Sequence, residues 1–307
     1  PDFARRLLGG SLTFGYALIQ PWLRIGLTTT VQHDAVDTNQ VNTFFGSTSG
    51  FVSIFQRLPL ANLFNAGRTI SLRPAITYDT RNNRLFPSSG VFLQASTELA
   101  TSAFGSEIEF LRHELTGRFY YPLFGQTDQP GSGFILKMNN KVGVITSPLS
   151  QGVPIFARYF LGGILDVRGY RLRTLGPRLP LNSSLDVNAP PIPNGANIGG
   201  NLQYYSNLEF EFPIIDKVGI RGVTFLDAGN TWNLEQQFCK TTPAPQFSPL
   251  VSPCFDGGSI KNLRLSSGMG IRWFSPLGPL RFEWGFPLNK LSYEESSVFE
   301  FTIGNFF

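Results

Sequence analysis

Residues 202–212 read Leu-Gln-Tyr-Tyr-Ser-Asn-Leu-Glu-Phe-Glu-Phe. Side chains alternate across a strand with period two, so Leu202, Tyr204, Leu208, Phe210 and Phe212 share one face. Gln203, Tyr205, Asn207, Glu209 and Glu211 share the other. A soluble sandwich buries its apolar face and crowds charges onto its wet one. Here two carboxylates sit among small and amide side chains, which suits a hydrated lumen, while the Leu/Phe/Tyr face suits lipid. The stretch decides for a membrane barrel if its neighbours repeat the pattern.

Immediately upstream, Tyr159–Arg178 reads YFLGGILDVRGYRLRTLGPR, a connection that is neither strand-like nor charged enough to be a free tail. Its centre, Val167-Arg168-Gly169-Tyr170, places an arginine that needs an acidic partner. Downstream strands supply Glu209, Glu211 and Asp227, and alternation turns the two glutamates inward. The expectation is a loop held inside a barrel by Arg168.

The other segments repeat the pattern. Leu12, Phe14, Tyr16 and Leu18 alternate with small residues, and Leu23–Gln32 alternates again after Gln20-Pro21. Ile70–Asp79, Val91–Leu99, Leu111–Tyr121 and a run from about Phe134 to Ile145 follow, with His113 on the lipid side. Val218–Trp232 is less regular and carries Asp227. Leu263–Trp273, Leu280–Phe286 and Phe299–Phe307 end the chain, with Arg264, Arg272, Arg281, Glu283, Glu300 and Gly304 on inner faces. Connections alternate long and short, with tight links at Pro21, Pro213–Lys217 and Ser275–Pro279, as between extracellular loops and periplasmic turns. Long loops are expected at about 33–67, 149–199 and 233–259. The fold class is all-β, a transmembrane antiparallel barrel, with eleven strands. Single-chain outer-membrane barrels normally have an even number, and an open edge in hydrocarbon costs several kcal/mol per orphaned group, so closure needs more strands or a partner chain.

Composition agrees. Charged residues make up 15% and aromatic residues 14% of the chain, against roughly 25% charge in soluble domains. No run approaches the ~18 apolar residues of a spanning helix, and mean hydropathy is −0.01, which excludes a helical membrane protein. The net charge of +4 is spread along the chain, arguing against nucleic acid. Cys239 and Cys254 lie close together in a Pro/Ser/Thr-rich loop, which suits a disulfide in an oxidising compartment. Zinc is the rival, although His33 and His113 are distant. No Ser/His/Asp arrangement can be assembled, so an enzyme is not expected. The start Pro1-Asp2-Phe3, without an initiator methionine, reads as a fragment of a longer protein.

Four features in order carry a resemblance: Val167–Tyr170 followed by Leu175-Gly176-Pro177-Arg178, the turn from Asp79 to Gly90, Ser275-Pro276-Leu277-Gly278-Pro279-Leu280, and a final strand ending in Phe307. Together they resemble the barrel of the BamA-type insertases of the surface-antigen superfamily, with mitochondrial and chloroplast relatives, from about Leu12 to Phe307. Against that family's sixteen strands these look like the last eleven, a partial barrel domain over 1–307. The resemblance implies that Arg168 pairs with Glu209 and Asp227 in the lumen. A single ion pair is worth ~1 kcal/mol in water and up to ~4 at an effective dielectric of 20, so two acids could hold a loop. It also implies that Gly304 marks the kink of the closing strand. The implied function is insertion and folding of β-barrel proteins in the bacterial outer membrane, with outer-membrane lipids, nascent barrel proteins and accessory assembly lipoproteins as partners, and no cofactor. A two-partner-type secretion pore of the same superfamily is the alternative.

Overall fold

The computed structural model describes residues 4–19, 21–37, 66–125, 133–148, 152–179, 196–235, 262–275 and 278–304. In chain order the strands are β1 (Ala4–Ile19), β2 (Leu23–Asp37), β3 (Gly67–Asp79), β4 (Gly90–Ala100), β5 (Phe110–Phe124), β6 (Phe134–Thr146) and two short strands, β7 (Arg178–Leu179) and β8 (Ala196–Asn197). They continue with β9 (Leu202–Ile215), β10 (Ile220–Trp232), β11 (Arg264–Ser275), β12 (Gly278–Pro287) and β13 (Val298–Ile303). Eleven of them form one sheet in the order β1-β2-β3-β4-β5-β6-β9-β10-β11-β12-β13, while β7 and β8 pair with each other. All the pairings are antiparallel, as expected of a barrel wall built by meander. The loop that precedes β9 is therefore flanked by strands adjacent in the wall.

Alternation sets the two faces. Leu208, Leu226, Leu265, Ile271, Trp284, Phe299 and Phe301 are exposed on the outer side, whereas Asn207, Glu209, Glu211, Asp227, Arg264, Arg272, Arg281 and Glu283 are buried on the inner side. Register brings Glu209 opposite Lys137 of β6 and Phe225 of β10. It brings Glu283 opposite Glu300 of β13.

Several expected boundaries move. The loop drawn from residue 33 starts later, because His33–Asp37 extend β2, and β1 begins at Ala4 rather than Leu12. His33 is thus a strand residue and not a loop edge. Ala4–Gly10 lacks alternation, but its backbone pairs with β2 up to Ala4↔Asp37, and Arg5 Nε donates to the buried Asp34 carboxylate at 2.6 Å. The tight link expected at Pro213–Lys217 shifts as well: β9 runs to Ile215 and a 3₁₀ turn follows at Asp216–Val218. Inside the loop expected at 149–199 lie β7, β8 and a 3₁₀ turn at Ile155–Ala157. Of the loop expected at 233–259, only residues 233–235 are described.

Apolar packing lies between this central loop and the inner wall. Ile145 packs with Val153, Ala157 and Tyr159, and a second cluster joins Leu161, Val167, Tyr170 and Leu175, with Tyr205 of β9 against it. Phe156 packs against the first cluster and also against Ala100, Ile108 and Phe110. Arg158, buried, ties the loop to the far end of β10 by donating to Asn233 Oδ1 at 2.7 Å and Glu235 Oε2 at 3.0 Å.

Candidate functional site

The loop closes on itself before it meets the wall. Leu175 N donates to Leu161 O at 2.9 Å, and Arg173 N to Gly162 O at 3.1 Å. Inside that neck, Asp166 Oδ1 accepts from the backbone N–H groups of Gly162 (2.5 Å) and Val167 (2.6 Å), winding the segment into a tight turn. Burial pushes the Asp166 carboxyl up to about 6, despite these two donors. Asn207 Nδ2 donates to Asp166 O at 2.5 Å and fixes the turn over β9. Gly169 adopts φ +84°, a left-handed conformation that favours glycine. Its backbone also lies directly on β12: a Cβ added to Gly285 would collide with the backbone N of Gly169.

That turn aims Arg168 into the wall. Its Nε and Nη2 each donate at 2.7 Å to the two oxygens of Asp227, a bidentate fork, and its backbone N–H reaches Asp227 Oδ2 at 3.1 Å. Nη1 donates to Glu209 Oε1 at 2.6 Å and to Glu283 Oε2 at 3.0 Å. The guanidinium lies over the Phe225 ring, 3.6 Å from its centroid, adding a cation–π contact where water is excluded. Arginine suits this position because a planar fork serves several carboxylates at once, which an ammonium does not.

The charges continue below the loop. Arg272 donates to Glu209 at 2.8 and 2.9 Å and to Glu283 at 2.9 Å, and it also reaches Glu211 at 2.9 Å. Lys137 donates to Glu211 at 2.6 Å, Arg221 also binds Glu211, and Arg281 binds Glu283 at 2.9 Å. Five cations thus surround four carboxylates, Glu209, Glu211, Asp227 and Glu283, the groups coming from the loop, β6 and β9–β12. Among the described residues the Asp227 carboxylate accepts hydrogen bonds from Arg168 alone. Glu209 and Glu283 each keep a second arginine.

Of the sequence-expected site residues, the structure brings Arg168, Glu209 and Asp227 together. Val167 is buried in the apolar cluster, and the Tyr170 hydroxyl lies 2.8 Å from both Leu265 O and Asn289 Oδ1. Gly304 lies apart from this network at the end of β13, with φ +110° and its N–H donating to Pro279 O at 2.8 Å. Phe307, Cys239 and Cys254 lie outside the described residues. His113 is on the outer face, with Nδ1 2.9 Å from Thr97 Oγ1. Among the described residues no cluster of His, Cys, Asp or Glu could hold a metal ion.

Sequence reading missed Glu283, Phe225, Arg272 and Lys137 as parts of the site. Glu283 carried the signal, since alternation puts it on the inner face. Phe225 carried it too, two residues before Asp227.

The model of the Omp85 superfamily domain matches residues 2–307. The chain is 26% identical to the outer membrane protein assembly factor BamA of Nitratidesulfovibrio vulgaris, over 75% of this chain and 25% of that protein. It therefore spans a quarter of that relative's length. The crystal structure of BamA from Haemophilus ducreyi lacking POTRA domains 1–3 superposes with a TM-score of 0.74 at 22% identity, covering 99% of this chain and 55% of that one. CdiB from Escherichia coli superposes with a TM-score of 0.56 at 13% identity, over 97% of this chain and 45% of that one.

Proposed function

The chain belongs to the Omp85 superfamily, and on that premise we propose that it is the barrel portion of an insertase that folds β-barrel proteins into the bacterial outer membrane. It works by positioning and strand pairing, not as an enzyme. Val167–Tyr170 serves as the loop anchor, with Glu209 and Asp227 as its lumenal acid partners, and Gly304 marks where the closing strand bends.

The observation that carries this reading is the contrast between the anchored loop and the strand beside it. Arg168 is held by carboxylates of β9, β10 and β12. Among the described residues β13 pairs with β12 over six residues, and one of those pairs sets Glu300 opposite Glu283. Like charges directly opposite weaken a ladder. A weak terminal edge next to a rigid support is what an incoming strand needs in order to pair by β-augmentation. A thinned bilayer beside such an edge lowers the cost of inserting that strand. The partners on this reading are outer-membrane lipids, nascent barrel proteins and accessory assembly lipoproteins.

The rival is a two-partner-type secretion pore, which shares the loop arginine, and the likeness to CdiB is one of fold. The experiment expresses full-length protein carrying Arg168→Ala in cells depleted of wild type and measures the abundance of other outer-membrane barrels. Loss of those barrels supports the insertase. Normal barrels with failed export of one secreted protein would replace it with the pore.

A further inference from the structure

The loop touches the β12–β13 hairpin on both strands and at the connection between them. Arg168 binds Glu283 of β12, and the backbone of Gly169 rests on Gly285 two residues along. Beyond the end of β12, Asn289 acts as a bracket: its Oδ1 accepts from Leu265 N at 2.9 Å and from the Tyr170 hydroxyl at 2.8 Å, and its Nδ2 donates to Leu263 O at 2.8 Å. Arg171 then pairs with Glu295 in the connection to β13. On β13 itself the Glu300 carboxylate lies against the loop backbone at Gly163, where an added Cβ would sit 3.4 Å from Glu300 Oε1. Loop residues 163–171 thus follow the hairpin up one strand, across its connection and onto the next.

We propose that this loop segment and the β12–β13 hairpin are one mechanical unit, with Asn289 and Glu300 as its positioning residues, so that displacing the terminal strand displaces Arg168. The physical reason lies in where the fixed points are. Arg168 is fixed to β9 and β10 through Glu209 and Asp227, while Glu300 and Asn289 fix the same short turn to the hairpin. A segment this tight, closed at its neck by the Leu161–Leu175 bridge, has little slack to absorb movement at one end only. Resting on the insertase reading, the unit would let the loop sense whether the terminal edge is engaged by a substrate strand.

The test is hydrogen exchange on the full-length protein in lipid nanodiscs, without substrate, so it is independent of the assembly assay above. Glu300→Ala should speed exchange of the loop amides of Gly163 and Leu175 about tenfold or more, as loss of a side chain packed against the loop backbone permits. Glu300→Gln, which keeps the size and shape of the side chain, should restore most of the protection. Reciprocally, Arg168→Ala should speed exchange along β13, which Arg168 does not touch. Tyr170→Phe, which removes one hydroxyl and leaves the fold intact, should speed exchange of Leu288, whose N–H is bound to Leu265 O. If Glu300→Ala loosens the hairpin and leaves the loop amides unchanged, or if both Arg168→Ala and Tyr170→Phe leave the hairpin unchanged, loop and hairpin are separate bodies and the proposal falls.

Discussion

Replacing Arg168 with alanine should free the central loop, and the structure indicates which carboxylate supplies most of the cost. Removing one partner of a buried ion pair costs about 3–5 kcal/mol, chiefly because the other charge stays buried and uncompensated. Glu209 and Glu283 would retain Arg272, and Glu283 would also retain Arg281. Asp227, buried and bound by Arg168 through three hydrogen bonds, would retain no donor among the described residues. The penalty therefore concentrates at Asp227. At 1.4 kcal/mol per factor of ten, the population of the undocked loop should rise by roughly 10² to a few times 10³.

Limited trypsin cleavage reads that population directly. Arg171 and Arg173 are exposed within the loop, and nicking of a transiently open segment follows its equilibrium population when closing is fast. Arg168→Ala should accelerate cleavage after these two residues by the factor above. Adding Asp227→Asn should recover most of the loss, because a neutral amide costs less to bury alone than a carboxylate. Adding Glu209→Gln should recover little. If Glu209→Gln rescues as well as Asp227→Asn, or if Arg168→Ala changes cleavage less than about tenfold, well under the buried-pair cost, the assignment of Asp227 as the dependent partner is wrong.

Three further outcomes follow from the same geometry. Gly285→Ala should destabilise by about 1–3 kcal/mol by pressing a methyl into the Gly169 backbone, whereas Gly10→Ala, where an added Cβ meets nothing within 4 Å, should stabilise by up to about 1 kcal/mol; denaturant midpoints compare the two. Leu115→Arg, on the exposed outer face of β5, should cost about 2–4 kcal/mol if that position lies near the bilayer midplane, read from equilibrium unfolding in lipid. Asp166 titrates near 6 in the folded loop, above its ordinary value near 4. Its contribution is therefore fully present below pH 4 and is lost as pH rises through 6. The wild-type unfolding midpoint should thus gain from this group between pH 7 and pH 4, and Asp166→Asn should remove that part of the slope.

What could be read in advance depended on whether a residue's neighbours were set by its own strand. In β9 the alternation of Leu208 and Phe210 with Asn207, Glu209 and Glu211 is enough to assign faces, since one position's slip would send both carboxylates into lipid. Ala4–Gly10 could not be read that way. Those residues are held by backbone pairing and by Arg5 on Asp34, and neither requires an apolar period. Glu209 and Asp227 could be matched to Arg168 from an inward parity and a family resemblance. Glu283 was as legible by parity, but Arg281 two residues before it offered an adequate local partner and hid its role on the loop. Glu300 shared that inward parity, but parity does not say what a side chain meets, and Asn289 lies in a connection with no parity to read. Each meets the loop across more than a hundred residues of sequence, and no periodicity records such contacts.

The two ends of the sheet are held in different ways. At one end β1 pairs along nearly its whole length with β2, from Ala4↔Asp37 to Ile19↔Leu23. At the other, β13 has six ladder pairs among the described residues, a Glu–Glu juxtaposition, and outer-face tilted ring contacts of Phe299 with Trp284 and of Phe301 with Phe282, with ring centroids 4.7 and 4.8 Å apart. Such aromatic pairs contribute about 0.5–1.5 kcal/mol each. They lie on the outer face, whereas Glu300, of opposite parity, packs its carboxylate against the loop at Gly163. That contact is made to a loop instead of a strand. Displacing β13 together with β12 therefore pulls on the loop as well as on the wall, which a hairpin held by strand pairing alone would not do.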